Sequence, residues 1–180
     1  AYIERFLMEE WIGRRVNHPH LVKLLRVRPE PQFLYFLIEH IKGQSLGIWI
    51  QNHAKQPDIQ EVVRIIGQVI DGVRALHRKE TLHQDIKPEN IMLDEKGEVK
   101  LIDYGSCRVA AIREIEVPYE RQSALGTVDF SAPEYRLDIE PKASADQFSI
   151  AMLASHAHRR QRALRRKMGK SHIDPRLQHA

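Results

Sequence analysis

The chain's densest chemistry lies in His83-Gln84-Asp85-Ile86-Lys87-Pro88-Glu89-Asn90, followed further on by Asp103-Tyr104-Gly105. A carboxylate, an ammonium group and an amide oxygen share one loop, and a second carboxylate stands on another. Asn90 and Asp103 offer oxygen donors from separate loops, a set that suits a magnesium ion bridging phosphate oxygens. The plainer alternative is a polar turn over Asp85–Asn90 and an Asx turn at Asp103.

Hydrophobic spacing indicates what must hold these loops. Residues 59–77 form the strongest predicted helix: Ile59, Val62, Val63, Ile66, Val69, Ile70, Val73 and Leu76 share a broad apolar face expected to lie in the core. Asp58 and Glu61 make a capping-box-like start. Between the two loops, Ile91 to Asp103 reads as a hairpin, two apolar runs around Asp94-Glu95-Lys96-Gly97. Upstream, Phe6, Leu7, Trp11, Ile12 and Val16 give residues 2–16 a helical period, which Asn17-His18-Pro19 ends. Short strands are expected near Leu21–Val27 and Phe33–Glu39, split by Pro29-Glu30-Pro31, after which Gly43 and Gly47 loosen the chain. No internal repeat or low-complexity tract interrupts this order.

The 180 residues suffice for one domain with a real core, and 42% apolar with 29% charged residues is ordinary globular composition. The net charge of +4 is unevenly placed: residues 1–155 carry 20 basic against 23 acidic side chains, a net of −3, whereas residues 156–180 hold eight basic residues and one acid. The longest apolar run, Phe33 to Ile38, is far too short to cross a bilayer, so no membrane partner is expected. The acidic N-terminal stretch has no secretory cleavage pattern, and a lone Cys107 fits a reducing, cytoplasmic compartment. The chain begins with Ala, as a piece of a longer protein would.

Taken in order, the Asp85 loop, Asp103-Tyr104-Gly105, Gly126-Thr127, Ala132-Pro133-Glu134 and Asp146-Gln147-Phe148-Ser149 resemble the catalytic half of a eukaryotic-type Ser/Thr protein kinase. The resemblance covers roughly residues 3–153. It implies an α+β, kinase-like two-lobe fold, truncated at both ends, with a mostly α-helical large lobe. It also implies ATP and Mg as cofactors and a protein Ser/Thr hydroxyl as acceptor.

By their positions in the motifs, Asp85 would accept the hydroxyl proton and Lys87 would sit beside the transferring phosphate, while Asn90 and Asp103 would hold the metal. His83 would be a structural part of the catalytic loop, and Gly105 and Thr127 would be structural or regulatory positions in their motifs. Glu9 falls where the ion-pairing Glu of the helix αC belongs, with Glu10 the neighbouring candidate. Phe33 to Gly43 looks like the fifth strand and hinge, which makes Ile38 the gatekeeper and gives the backbone of Glu39 and Ile41 to adenine. Leu93 would lie under the adenine ring or simply pack in the strand core. Asp146 would anchor the catalytic loop. The phrasing of these segments is most similar to bacterial proteins that fuse a phosphatase domain to a C-terminal kinase domain, so an upstream phosphatase partner is implied.

Three departures shape further expectations. Within these 180 residues no Gly-rich loop or strand lysine precedes the first helix. Gln84 replaces the Arg that usually pairs with an activation-segment phosphate. After Leu153 the resemblance gives way to a basic run, leaving Glu134 without its usual Arg partner.

The expected organisation is a small-lobe remnant to the hinge (1–40), a large lobe through the start of αF (41–155) and an atypical basic tail (156–180). With so little of the small lobe, Phe6, Trp11 and Ile12 should be partly exposed. Alternative readings are a catalytically inactive kinase-like module that binds nucleotide or a protein, and a basic tail that contacts anionic surfaces. The tail lacks interleaved aromatics and base-reading motifs, so nucleic acid is not expected as a partner. His156-x-His158 has no second pair at zinc-like spacing and reads as surface histidine. Cys107 reads as small-residue packing.

Overall fold

A computed structural model of the chain describes residues 2–26, 35–52, 59–109, 130–136 and 140–170. Asp58, Gly126, Thr127 and the turn at Pro29-Glu30-Pro31 lie outside the described residues. The fold is α+β, as expected.

Helix α1 (Tyr2–Arg15) is followed by two antiparallel strands, β1 (Leu24–Leu25) and β2 (Leu37–Ile38). They occupy the stretch expected to be the small-lobe remnant. The described strands are shorter than the sequence suggests, covering two residues each. Ile12 corrects the expected exposure, because it is 1% exposed and belongs to the common core. Phe6 and Trp11 are half-buried: Phe6 meets the Phe36 ring at 5.0 Å, and the Arg15 guanidinium lies 4.2 Å from the centre of the Trp11 ring.

Next come β3 (Gly43–Ser45) and α2 (Leu46–Asn52). Here Gly43 does not loosen the chain. It lies in a strand paired with β5 (Ile91–Asp94), and a Cβ at Gly43 would overlap the Leu93 carbonyl. Glycine is required there because two backbones approach without room for a methyl group.

Helix α3 spans Ile59–His77, as its periodicity predicts. Val62, Ile65, Val69, Val73 and Leu76 are buried, and α3 packs on α4 (Ala143–Lys170) and on β6 (Val99–Leu101). The apolar face is wider than its cover: Ile59, Val63 and Ile70 are exposed, contrary to a wholly buried reading. On α4 the matching ridge is Ala145, Ser149, Ile150, Leu153 and Ala157, all buried at helical spacing. The α4 backbone continues past Ser155 without a break, although composition changes there.

The predicted hairpin is present. β5 pairs with β6 through Ile91↔Leu101 and Leu93↔Val99. Its turn is set by Asp94, whose Oδ1 accepts the Lys96 and Glu98 amides at 2.8 Å each, and by Gly97 at φ +78°. β6 is also tied to the small lobe: the Leu101 amide donates to His20 O and the Val22 amide to Leu101 O, both at 2.9 Å. A further pair, β4 (Thr81–Leu82) with β7 (Arg108–Val109), brackets the chemical loops at either end.

Candidate active site

The loop His83–Lys87 leaves β4 with little secondary structure, so its shape depends on one buried side chain. Asp146, 1% exposed in the first turn of α4, accepts the His83 amide at 2.9 Å on Oδ2 and the Gln84 amide at 2.9 Å on Oδ1. His77 Nε2, in the last turn of α3, lies 2.8 Å from Oδ2. Burial alone would raise the Asp146 carboxyl, but the bonds from His77, His83 and Gln84 outweigh it and hold the group below its ordinary value. With its amide held, Gln84 takes φ 67°, a left-handed conformation that turns the chain sharply before Asp85. The His83 side chain is fully buried with neither ring nitrogen hydrogen-bonded among the described residues.

Beyond the turn, Lys87 is extended (φ −150°, ψ 162°), as a residue before proline must be, and Pro88–Asn90 forms a 3₁₀ turn into β5. This folds Asn90 back onto Asp85. Its Nδ2 donates to Asp85 O at 2.9 Å and to Asp85 Oδ2 at 2.8 Å, while Lys87 Nζ donates to the same Oδ2 at 2.7 Å. Both Asn90 partners are acceptors, which fixes the amide orientation and leaves its Oδ1 without a hydrogen bond among the described residues. Asp85 Oδ1 is likewise uncommitted among them.

Asp103 arrives from the end of β6. The Ile102 amide donates to Asn90 O at 3.0 Å, so Asp103 is the next residue along from a backbone pair with Asn90. Asp103 is exposed at φ 70°, and its Oδ1 accepts the Gly105 amide at 2.9 Å. Asp85, Lys87, Asn90 and Asp103 are thus gathered at one end of the β5–β6 hairpin.

Desolvation raises the Cys107 thiol well above its ordinary value, and Asp146, Asp103, Glu9 and Asp85 all push in the same direction. Glu10, the neighbouring candidate, pairs with Arg14 at 2.7 Å.

Ile38 is 47% exposed at the end of β2, and Leu93 is buried in the core. The Glu39 amide donates to Lys23 O, and its carboxylate accepts the Lys23 amide at 2.9 Å and Lys100 Nζ at 2.7 Å. The Glu39 carbonyl and the Ile41 amide make no backbone hydrogen bond among the described residues. Glu134, in the 3₁₀ turn Pro133–Arg136, is half-buried with no ion pair among them. Thr127 lies outside them.

Two participants escaped the sequence reading. One is Lys100, whose alternation along β6 gives no sign of its bond to the hinge. The other is the Tyr104 hydroxyl, which donates to Val22 O at 2.8 Å.

Across residues 2–179 the chain matches the family model described as the protein kinase domain. The chain belongs to this family. The match continues through the basic stretch after Leu153, further than the motif reading reached.

Among relatives, the chain is 32% identical over 126 residues to the mouse cAMP-dependent protein kinase catalytic subunit PRKX, covering 70% of this chain and 33% of that protein. It is 26% identical over 153 residues to the probable serine/threonine-protein kinase pknA2 of Bifidobacterium longum, covering 85% of this chain and 20% of the relative. It is 28% identical over 134 residues to the serine/threonine-protein kinase PrkC of Bacillus subtilis, covering 74% and 20%. The kinase-family chain thus spans a third or less of the length of these relatives. Among its described residues no helix is long and apolar enough to cross a membrane, and no three His, Cys, Asp or Glu side chains group as metal ligands.

Proposed function

We propose that this kinase domain carries the nucleotide- and acceptor-binding half of an ATP-dependent Ser/Thr protein kinase. The observation that carries the reading is the Asn90 amide. Both of its hydrogen bonds run to Asp85, leaving its oxygen uncommitted among the described residues, one backbone pair from Asp103. An amide oxygen and a carboxylate presented from two loops fit a magnesium ion, a hard cation that keeps several non-protein ligands. ATP and magnesium together supply the γ-phosphoryl group and the neutralisation of its charge.

The remaining roles belong to the chain itself. Asp85 accepts the proton of a protein Ser or Thr hydroxyl through its uncommitted Oδ1. The hydroxyl oxygen forms its new bond to the γ-phosphorus, and the bond to the ADP oxygen breaks. Lys87 stabilises phosphate charge, and its bond to Asp85 keeps both groups on the same side of the loop. The Glu39 carbonyl and Ile41 amide hold adenine, with Ile38 at the back of the site and Leu93 as its floor. Glu9 stands at the motif position of the family's ion-pairing Glu. An upstream phosphatase domain in the parent protein is supported by the phrasing of the hinge and helix segments, and a cytoplasmic setting by the single Cys107.

A second reading is a nucleotide-binding module without transfer activity. Transfer of radiolabelled phosphate to a generic basic protein separates the two. On the kinase reading, the chain alone gives the same background as Asp85→Asn, and joining it to a small-lobe segment with a Gly-rich loop and strand lysine raises transfer, which Asp85→Asn abolishes. A completed chain that stays silent supports the module. Transfer that survives Asp85→Asn would overturn the roles given to the loop.

A further inference from the structure

Tyr104 is among the largest fully buried side chains of the protein, yet it adjoins an exposed residue, Asp103. Its hydroxyl crosses to the small-lobe linker and donates to Val22 O at 2.8 Å, a contact between residues 82 apart. Val22 is itself anchored. Its amide donates to Leu101 O, and the Leu101 amide donates to His20 O, both at 2.9 Å.

Asp103 is therefore bracketed. On its N-terminal side, Leu101 is fixed to His20 and Val22, and Ile102 to Asn90 O. On its C-terminal side, the Tyr104 hydroxyl makes a long-range hydrogen bond to Val22 O. Between these anchors Asp103 sits at φ 70°, in the left-handed region that Asp tolerates better than most L-residues.

We propose that the Tyr104 hydroxyl is a positioning group. By clamping the residue after Asp103 to the Val22 carbonyl, it holds the Asp103 carboxylate beside the Asn90 oxygen for a phosphate-bound cation. This rests on the metal-nucleotide reading above.

Tyr104→Phe removes the hydroxyl and little volume, leaving Val22 O without its donor. The test uses the full chain and an ATP analogue, with affinity measured in manganese and in chelator, together with amide hydrogen exchange. In Tyr104→Phe the manganese-dependent gain should fall about tenfold, the loss of one buried hydrogen bond. Affinity in chelator should stay within about twofold, since the adenine contacts are elsewhere. Exchange at Gly105 should quicken at least about tenfold while the β5–β6 amides stay protected.

A full manganese-dependent gain in Tyr104→Phe would overturn the clamp and leave the metal reading intact. Loss of affinity equally in manganese and chelator, with β5–β6 exchange rising too, would show a general packing role and overturn it as well. No manganese-dependent gain in the parent chain would sink both the clamp and the metal reading.

Discussion

The Asp146 carboxylate accepts the His83 amide proton at 2.9 Å, joining the first turn of α4 to a loop 63 residues earlier in the chain. With the Gln84 amide and His77 on the same carboxylate, this one buried group sets the path of the backbone on which Asp85 stands. The basis of the site's shape is an acceptor that satisfies donors no ladder reaches.

Asp146→Asn keeps one acceptor oxygen and discards the charge, so it should destabilise the chain by about 3 kcal/mol at neutral pH. The sign of the pH effect follows from the depressed folded value of Asp146. The stability it contributes is complete above the unfolded carboxylate value of about 3.9 and is lost as pH falls through the lower folded value. Urea unfolding of parent and variant should show a gap at neutral pH that closes in acid. A gap independent of pH would contradict the ionic part of this role.

Gly43→Ala should separate β3 from β5, because its Cβ would meet the Leu93 carbonyl and the Asp94 backbone rather than a movable side chain. The expected cost is about 1–3 kcal/mol, that of overpacking a closed site. A lowered thermal midpoint with faster amide exchange at Leu93 would bear this out; an unchanged midpoint would show that the strands part freely.

The small lobe leaves Leu7 of α1 and Leu25, Leu37 and Ile38 of its strands between 41% and 49% exposed. This apolar surface lies beside a sheet that has two strands among the described residues. The chain should self-associate at micromolar concentration, and Leu7→Lys with Leu37→Thr should reduce that association. Light scattering that shows a monodisperse parent monomer would contradict it.

How much of this could be read beforehand differs by interaction range. Helix α3 and the β5–β6 hairpin were legible because their signals are local: a repeated apolar face, and an Asp94 and Gly97 turn. The loop acids were legible as a set because their order matches a motif. Ile12 was misjudged because a helix near a small sheet can still bury one residue against the large lobe. Val63 and Ile70 were misjudged for the opposite reason, since periodicity marks a face without saying how much of it is covered. Long-range bonds such as Tyr104 to Val22 and Lys100 to Glu39 leave no periodic trace. The strand at Gly43 was hidden because glycine usually signals a loop, and here it signals close approach.

The central claim is that Asn90 and Asp103 together hold a cation on bound nucleotide. The most direct measurement is calorimetric titration of the chain with an ATP analogue in magnesium and in chelator, repeated for Asn90→Ala and Asp103→Asn. The account predicts binding about tenfold tighter in magnesium for the parent, a gain of about 1.4 kcal/mol, and loss of that gain in each variant. Equal affinity with and without magnesium in the parent, or a magnesium gain that survives both substitutions, would contradict it.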